Sequence, residues 1–322
     1  MDISWKSMSL DEFAAFERSQ GHVIIKIRNV HWRRVRHFFY RPMLPFHELS
    51  PGMFTAPRGA FWGGIQYAVS PGQKANSFLD LMLFEDTAAY CLDSLERHKK
   101  KQVRQAGRHF IIQPIRDLDT FKQKGYPVYL SFYERTHYEY KSERRYEDQF
   151  CAWAESIFQF PKVVVLGAFR NRELEAISIS KLVENTLIYS TVFCNTESLQ
   201  FDVTSLLLHS LREAAARHPE VKQIYVGNYK FQGRKGIDEF YFTRGCNLVR
   251  KPALLHMNPL TTCLLRIFLP EQYDRLMGNL GNSAGPTEVA AGAISRDSID
   301  PISRKTNQPD LTADRNPKQS EL

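Results

Sequence analysis

The alternation of apolar and polar positions in the first half of the chain predicts a mixture of strands and helices. Ser9 and Glu12 have the spacing of a capping box, and Val23, Ile25 and Ile27 would share one face of a strand. The predicted elements are a short helix from Ser9, strands over 22–28, 64–69, 77–84 and 109–115, and a long helix over 87–107. No repeat at the periods of solenoid proteins accompanies this order.

The second half of the chain has a more regular pattern. Two helical pieces over 126–160 precede three strands, a helix, a strand, a short helix and a last strand, at 162–169, 173–181, 187–194, 203–218, 221–226, 237–244 and 248–256. Short polar turns join the first three strands, so these strands should form antiparallel hairpins. A helix of about 15 residues separates the third strand from the fourth, and such a crossover predicts that these two strands pair in parallel.

The composition restricts the class of protein. The 322 residues include 43 Lys and Arg against 35 Asp and Glu, a formal charge of +8, and 43% are hydrophobic. A chain of this content can build a sizeable core, and its length favours about two domains of ~150 residues. These values exclude a chain disordered throughout, a collagen-like chain and a coiled coil. The positive balance permits a ligand that bears phosphate but does not require one.

The last segment, 278–322, differs from the rest of the chain. It contains no Phe, Tyr or Trp, and its five basic and six acidic residues give a charge of −1. Such a segment cannot bury enough apolar area to offset its chain entropy, so we predict that it is disordered. The body, 1–277, therefore carries a charge of +9.

Cysteine spacing and the apolar runs indicate the compartment. The five cysteines are scattered, with no CxxC pair and no His at zinc spacing, which is typical of reduced thiols and predicts no metal site. The start of the chain lacks the apolar core of a signal peptide, and no run reaches the roughly 18 to 20 apolar residues of a spanning helix. We therefore expect a soluble, cytoplasmic protein.

Three stretches concentrate the positive charge, namely 32–41, 97–108 and 230–235. Arg97, Lys101, Arg104 and Arg108 follow i+4, i+3, i+4 spacing and would share one helix face. Such a row suits the phosphates of CoA, tRNA or a phosphorylated lipid, although a solvated helix face has the same pattern. The segment 32–41 interleaves arginines with aromatic residues. It fits a nucleic-acid platform, a peripheral membrane contact, or a sheet edge with its aromatic rings inward.

Several sequence segments of the second half resemble the acyltransferases of the GNAT superfamily. The stretch VVVLGAFRNRELEAISISKLVENTLIYSTVFC resembles its three-strand meander, SLLLHSLREAAARH the next helix and KQIYVGN the strand after it. Tyr241 lies four residues before Gly245, as in the superfamily's YxxxGF motif. The basic helix RHKKKQVRQAG and the segment GIDEFYFTRGC resemble the FemAB-like branch more closely. The resemblance covers about residues 95–277.

The resemblance implies an α+β fold, a GNAT-like mixed sheet flanked by helices, with an incomplete GNAT-like unit before it. We therefore expect an N-terminal α/β region over 1–115, a GNAT-like acyltransferase domain over 116–277 and the disordered tail over 278–322. FemAB-like proteins transfer acyl or aminoacyl groups to amines in cell-envelope and related pathways, so the resemblance also implies an enzyme.

One loop departs from the GNAT pattern. In GNAT enzymes a Gly-containing loop presents backbone N–H groups and a helix N-terminus to the pyrophosphate of CoA. The corresponding stretch here, NTESLQFDVTS, contains no Gly, and Asp202 within it would repel a phosphate. Acetyl-CoA bound in the ordinary manner is therefore not expected. FemAB-like enzymes lack this Gly-containing loop in its usual GNAT form, and many take their acyl group from aminoacyl-tRNA. The absence of glycine from the loop therefore favours the FemAB-like branch.

The resemblance also assigns roles to particular residues. Tyr241 would be the acid that protonates the leaving group, with Asp238 and Glu239 as candidates for acid–base work on the attacking amine. The residues expected to hold the donor are Val192, Cys194, Asn195 and Asn228 at two strand ends, and Lys101, Arg104, Lys230 and Lys235 near its phosphates. The structural alternatives are a Tyr with its ring in the core and acids that stabilise the first turn of a helix.

The function that follows is transfer of an acyl or aminoacyl group from a CoA- or tRNA-type donor to an amine. The acceptor would be a small-molecule amine, a saccharide or a peptide, in envelope or polysaccharide metabolism. The alternative is a GNAT-like protein that binds a ligand or partner without catalysis, which the missing glycines favour. A third interpretation, an RNA-binding protein, predicts steeply salt-dependent binding of tRNA.

Overall fold

The helices of the protein flank one sheet, and the computed structural model describes residues 3–137, 140–229 and 235–278. The helices are α1 Leu10–Ser19, α2 Arg97–His109, α3 Leu118–Thr136, α4 Glu147–Phe158, α5 Val203–Ala216, α6 Lys235–Phe242, α7 Pro259–Phe268 and α8 Pro270–Met277. The predicted capping box opens α1, because the Ser9 hydroxyl accepts from the Glu12 N–H and the Glu12 carboxylate accepts from the Ser9 N–H. None of the described helices is long and apolar enough to cross a membrane.

Eleven strands of the described residues form one mixed sheet. They are β1 Ile24–Ile27, β2 Val30–Arg36, β3 Phe39–Pro42, β4 Gly64–Ala68, β5 Ser77–Phe84, β6 Ile111–Pro114, β7 Val163–Arg170, β8 Glu173–Val183, β9 Thr186–Cys194, β10 Gln223–Asn228 and β11 Asn247–Met257. Their order across the sheet is β1-β2-β3-β4-β11-β5-β10-β9-β8-β7-β6.

The pairing of the strands confirms the predicted topology of the second half. β7, β8 and β9 form antiparallel hairpins, and β9 pairs with β10 in parallel. β5 comes from the first half of the chain, yet it lies between β10 and β11 and is antiparallel to both. The two halves of the sequence therefore build one sheet.

The side chains of β8 show how the sheet separates two cores. Ala176 and Leu182 face a core that also contains residues of α2, α5 and α6. Ile177 and Ile179 face the opposite side, where α3 and α4 pack. Val183 lies on the same face of the strand as Ile177 and Ile179, and it contacts the core that includes α1. This period of two is the expected one for a strand that is buried on both faces.

The predicted long helix over 87–107 is wrong in its first half. α2 begins only after two short 3-10 turns, at 87–89 and 92–94. Tyr90 and Leu95 are both buried in this stretch. Their burial fixes a turn-rich path although the apolar spacing is that of a helix, since tertiary packing overrides a weak local preference.

α3 begins before the predicted start at Tyr126. The carboxylate of Asp117 caps the helix by accepting the N–H groups of Asp119 and Thr120. Pro127 lies inside the helix, and a Pro at that place normally ends one, which explains why the sequence pattern indicated a later start.

Candidate functional site

In the middle of the sheet, β9 and β10 stop pairing partway along their length. Their parallel ladder runs from Thr186 with Gln223 to Ile188 with Tyr225. Beyond that point β10 shifts register against β5 between Tyr225 and Gly227. β9 has an irregularity of its own, which leaves Ser190 as an extra residue relative to β8. The two irregular strands therefore border a gap, which we call the β9–β10 split.

The backbone of β9 directs two N–H groups toward this split. The Asn195 N–H donates to the Glu175 carbonyl of β8 at 2.8 Å. In an antiparallel ladder alternate residues bond to the partner strand, so Phe193 also faces β8. The N–H groups of Val192 and Cys194 must then point away from β8, to the side from which β10 has departed.

The end of β10 forms the opposite border. The Tyr229 N–H donates to the Asp80 carbonyl at 2.9 Å, so by the same alternation the backbone of Asn228 faces the split. The side chain of Asn228 accepts a hydrogen bond from the Tyr225 hydroxyl at 2.9 Å. Gly227 has a φ of 144°, a conformation that favours glycine, and it makes this change of direction in the strand.

Tyr241 of α6 lies in the core next to β9. Its ring is edge-on to Phe84, with 6.3 Å between the ring centroids, and Tyr189 of β9 is close to it. Burial raises the pKa of Tyr241, so its hydroxyl stays protonated at neutral pH. Among the described residues this hydroxyl has no hydrogen-bond partner. The role of this hydroxyl as an acid stays a prediction.

The two acids of α6 occupy different surroundings. Glu239 is exposed, and Asp238 is half-buried near Tyr229, where it contributes, after burial, to the raised pKa of that tyrosine. Both belong to the first half of a short helix, where a carboxylate also stabilises the N–H ends. Their catalytic role stays a prediction.

Cys194 contributes its backbone to the split, whereas the groups of Asn195 are engaged elsewhere. Burial raises the pKa of the Cys194 thiol to about 11, although Arg135 nearby lowers it somewhat. This thiol is therefore protonated and a poor nucleophile at neutral pH. The side-chain oxygen of Asn195 accepts from the Ser131 hydroxyl at 3.0 Å. Neither Asn195 group is directed at the split, since its N–H bonds to β8.

The first turn of α5 is occupied by groups from neighbouring helices. The carboxylate of Asp202 accepts from Gln102 Nε2 at 3.0 Å. Arg244 donates to Ser205 Oγ at 2.7 Å and to Gln102 Oε1 at 3.3 Å. A CoA pyrophosphate would meet a carboxylate and engaged side chains here. These residues do not fit CoA bound in the ordinary GNAT manner.

The predicted basic row is present on α2. Arg97, Lys101, Arg104 and Arg108 are exposed, while Val103 and Ala106 on the other side of the helix are buried. Arg104 lies 3.8 Å from the exposed carboxylate of Asp93, which leaves it accessible. Lys230 and the side chain of Lys235 lie outside the described residues, as does the predicted tail from residue 279 onward.

A buried ionic cluster on the other face of the split was not predicted. Lys181 of β8 lies 3.4 Å from the Glu17 carboxylate of α1 and donates to Ser190 Oγ at 3.2 Å. The same carboxylate is 3.3 Å from Arg33 Nη1 and 3.8 Å from His22 Nε2. The cluster connects α1 to the extra residue of β9. Its only sequence signal is a lysine at an inward position of the apolar strand AISISKLV.

The comparisons with known proteins show the fold. No family model and no curated protein matches the chain. FemX is similar in structure, with a TM-score of 0.54 and 10% identity over 82% of this chain and 96% of that chain. The C-terminal domain of a putative lysylphosphatidylglycerol synthetase from Agrobacterium fabrum is similar with a TM-score of 0.51 and 11% identity, over 84% and 93%. The protein has an α+β fold of the GNAT/FemAB-like kind, as the sequence predicted.

Proposed function

We propose that the protein is an acyl or aminoacyl transferase whose reaction takes place in the β9–β10 split. The observation that carries this proposal is the pair of N–H groups of Val192 and Cys194 that face the gap. An acceptor amine would attack the acyl carbonyl of the donor, and the two N–H groups would stabilise the negative charge on its oxygen. The carbon–oxygen or carbon–sulfur bond to the leaving group then breaks, and the amine loses its proton.

Tyr241 is the proposed acid of this reaction. Its hydroxyl is protonated and has no partner among the described residues, so it can donate to the leaving oxygen or sulfur. Asp238 and Glu239 remain candidates for acid–base work on the acceptor amine. Lys181 is a positioning residue, since it holds the Ser190 hydroxyl and with it the irregular part of β9.

An aminoacyl-tRNA fits the donor side better than acyl-CoA. The first turn of α5 is closed to a pyrophosphate by Asp202, Gln102 and Arg244. The exposed row on α2 instead offers several cations to a phosphate backbone. The name of the second structural neighbour refers to a lysyl group joined to a phospholipid, which agrees with aminoacyl transfer. Acyl-CoA is retained as the second donor, and amines of small molecules, saccharides or peptides are the proposed acceptors.

The proposed test is transfer of radiolabel from aminoacyl-tRNA, acetyl-CoA and palmitoyl-CoA to amino sugars, lysyl peptides and polyamines. Tyr241→Phe should lower the rate by about 10²-fold or more if the hydroxyl protonates the leaving group. Tyr126→Phe is the matched control, because its hydroxyl donates to the Arg145 carbonyl on the surface. Equal rates for the two variants would contradict the role of Tyr241.

The donor is tested separately by binding. Lys101→Glu with Arg104→Glu should weaken tRNA binding and reduce its salt dependence, because each lost phosphate contact lowers the slope by about one. Thermal stabilisation by acetyl-CoA without any by tRNA would contradict the preference for an aminoacyl donor. Binding of tRNA with no transfer to any amine would favour the alternative, a GNAT-like binding protein without catalysis.

A further inference from the structure

An exposed apolar surface lies at the β3–β4 part of the sheet, which β11 and β5 separate from the β9–β10 split. It is formed by the turn between β2 and β3, the 3-10 segment Arg58–Phe61 with the turn after it, and α7. Its largest side chains, which are 53% to 70% exposed, are Phe38, Phe61, Trp62, Leu260, Ile267 and Phe268. We call these three segments the aromatic–basic surface. Soluble proteins rarely expose so many large apolar groups together unless a partner covers them.

Hydrogen bonds hold the three segments together. The Gly64 N–H donates to the Phe38 carbonyl at 3.1 Å, which fixes the β2–β3 turn beside β4. The Thr261 hydroxyl of α7 donates to the Trp62 carbonyl at 2.6 Å. Asn258 Nδ2 donates to the Phe61 carbonyl at 3.0 Å. The exposed rings therefore belong to one supported surface.

α7 has its apolar stripe on the outside. Leu260, Leu264, Ile267 and Phe268 follow i, i+4, i+7 and i+8 spacing and are all exposed. A helix that packs on its own protein normally turns such a stripe inward. Here the stripe faces away from the described part of the chain, as expected of a helix that lies in a membrane interface.

The three segments themselves carry charges of one sign. No Asp or Glu occurs in 18–47, 49–79 or 240–270, which supply all three segments. The exposed cations beside the apolar groups are Arg34, Arg36, Arg58 and Arg266. A second copy of the same surface would bring like charges together. An anionic lipid surface would instead satisfy the cations while its acyl boundary receives the rings.

We propose that the aromatic–basic surface docks on an anionic lipid bilayer. Trp62, Phe61 and the outer face of α7 enter the headgroup region, and the arginines contact lipid phosphates. Trp and Phe suit this boundary because their rings are large and apolar, and the indole N–H remains able to find a polar partner. The proposal does not depend on the transferase reaction, since the surface lies outside the β9–β10 split.

The test is co-sedimentation of the full chain with vesicles of phosphatidylcholine alone and of phosphatidylcholine with about one third phosphatidylglycerol. Binding is expected to the anionic vesicles, with a blue shift of tryptophan fluorescence and a loss at high salt. Phe61→Ser with Trp62→Ser, and Ile267→Ser with Phe268→Ser, should each weaken the partition about tenfold or more. Arg58→Glu should weaken it about tenfold.

Matched controls come from the opposite edge of the sheet. Ile111 of β6 is 64% exposed, the same as Trp62, and Arg116 follows that strand on the surface. Ile111→Ser and Arg116→Glu should leave vesicle binding unchanged. Equal losses in these controls, or no binding of the unaltered chain to anionic vesicles, would refute the proposal. A dimer in sedimentation that Phe61→Ser with Trp62→Ser abolishes, without vesicle binding, would assign the surface to a second copy.

Discussion

The Lys181–Glu17 pair is a charged contact inside a hydrophobic setting. Both side chains are buried, and the ammonium group also lies 4.4 Å from the centre of the Phe16 ring. A buried ion pair is close to neutral for stability, because desolvation offsets the attraction. Removal of Lys181 leaves the buried Glu17 carboxylate with the partly exposed Arg33 as its remaining close cation, and a buried charge that has lost its buried partner is the costly state.

Lys181→Met should therefore destabilise the protein by about 3 kcal/mol. Chemical denaturation of the variant and of the unaltered chain measures this change. The double variant Glu17→Gln, Lys181→Met should recover part of the loss, since it no longer buries a carboxylate at position 17. A double variant less stable than Lys181→Met would show that the pair is not the cause.

His22 should make stability depend on pH in mild acid. Burial lowers the pKa of His22 to about 4, and Arg33 adds to this, while Glu17 opposes it. The unfolded chain takes up the proton near pH 6.5, whereas the folded chain does so near 4, so protonation favours unfolding. The folded state should lose about 2 kcal/mol as the pH falls from 6.5 to 4.

Denaturant midpoints across this pH range measure the contribution of His22. His22→Gln should reduce this loss of stability. The variant lacks the imidazole that takes up a proton in the unfolded chain, but not in the folded chain, over this pH range. His37→Gln, at an exposed position in the β2–β3 turn, is the control and should keep the full slope. Parallel curves for His22→Gln and the unaltered chain would contradict the assignment.

Two glycines in regular elements should respond in opposite directions to alanine. In α2, a Cβ at Gly107 would have only Leu206 Cδ1 nearby, at 3.9 Å. Gly107→Ala should raise the free energy of unfolding by about 0.5–1 kcal/mol, because alanine loses less backbone entropy in a helix. In β7, a Cβ at Gly167 would lie 2.7 Å from Leu174 Cδ1 and 2.9 Å from Ile115 Cδ1. Because of this crowding, Gly167→Ala should lower the free energy of unfolding by about 2 kcal/mol.

Thermal melts of the two variants under one condition give the comparison. The pair is informative because the substitution is identical and only the surroundings differ. Stabilisation by Gly167→Ala would mean that Leu174 and Ile115 pack more loosely around position 167 than the structure shows.

Elements with strong local signals could be predicted from the sequence. The predicted starts of β8 and α5, at residues 173 and 203, agree with the structure, because turns and a continuous apolar stripe mark them. The stretch before α2 could not be predicted, since the burial of Tyr90 decides its path. The Glu17–Lys181 cluster joins residues 164 positions apart, so the local pattern could indicate a buried lysine but not its partner. The outward N–H groups of β9 also depend on register, which spacing alone does not fix.

At the scale of the molecule, the sheet interleaves strands from both halves of the sequence. β5 lies between β10 and β11, and β11 lies between β4 and β5. A chain of residues 116–277 would leave one edge of β10 and both edges of β11 unpaired and would remove the buried Leu81 and Leu83. The sequence predicted a domain boundary after residue 115, and the sheet gives a way to test whether it is also a folding boundary.

We expect residues 116–277 produced alone to remain unfolded or to aggregate, because the exposed edges and lost core outweigh the remaining contacts. Residues 1–115 and 116–277 produced together should associate, since the cut falls in the short connection between β6 and α3 and both parts of the sheet are then present. Circular dichroism and amide NMR spectra of the single and paired fragments decide between these outcomes. A dispersed spectrum and a cooperative melt for 116–277 alone would show that the second half folds without β5, and would make the predicted boundary a folding boundary.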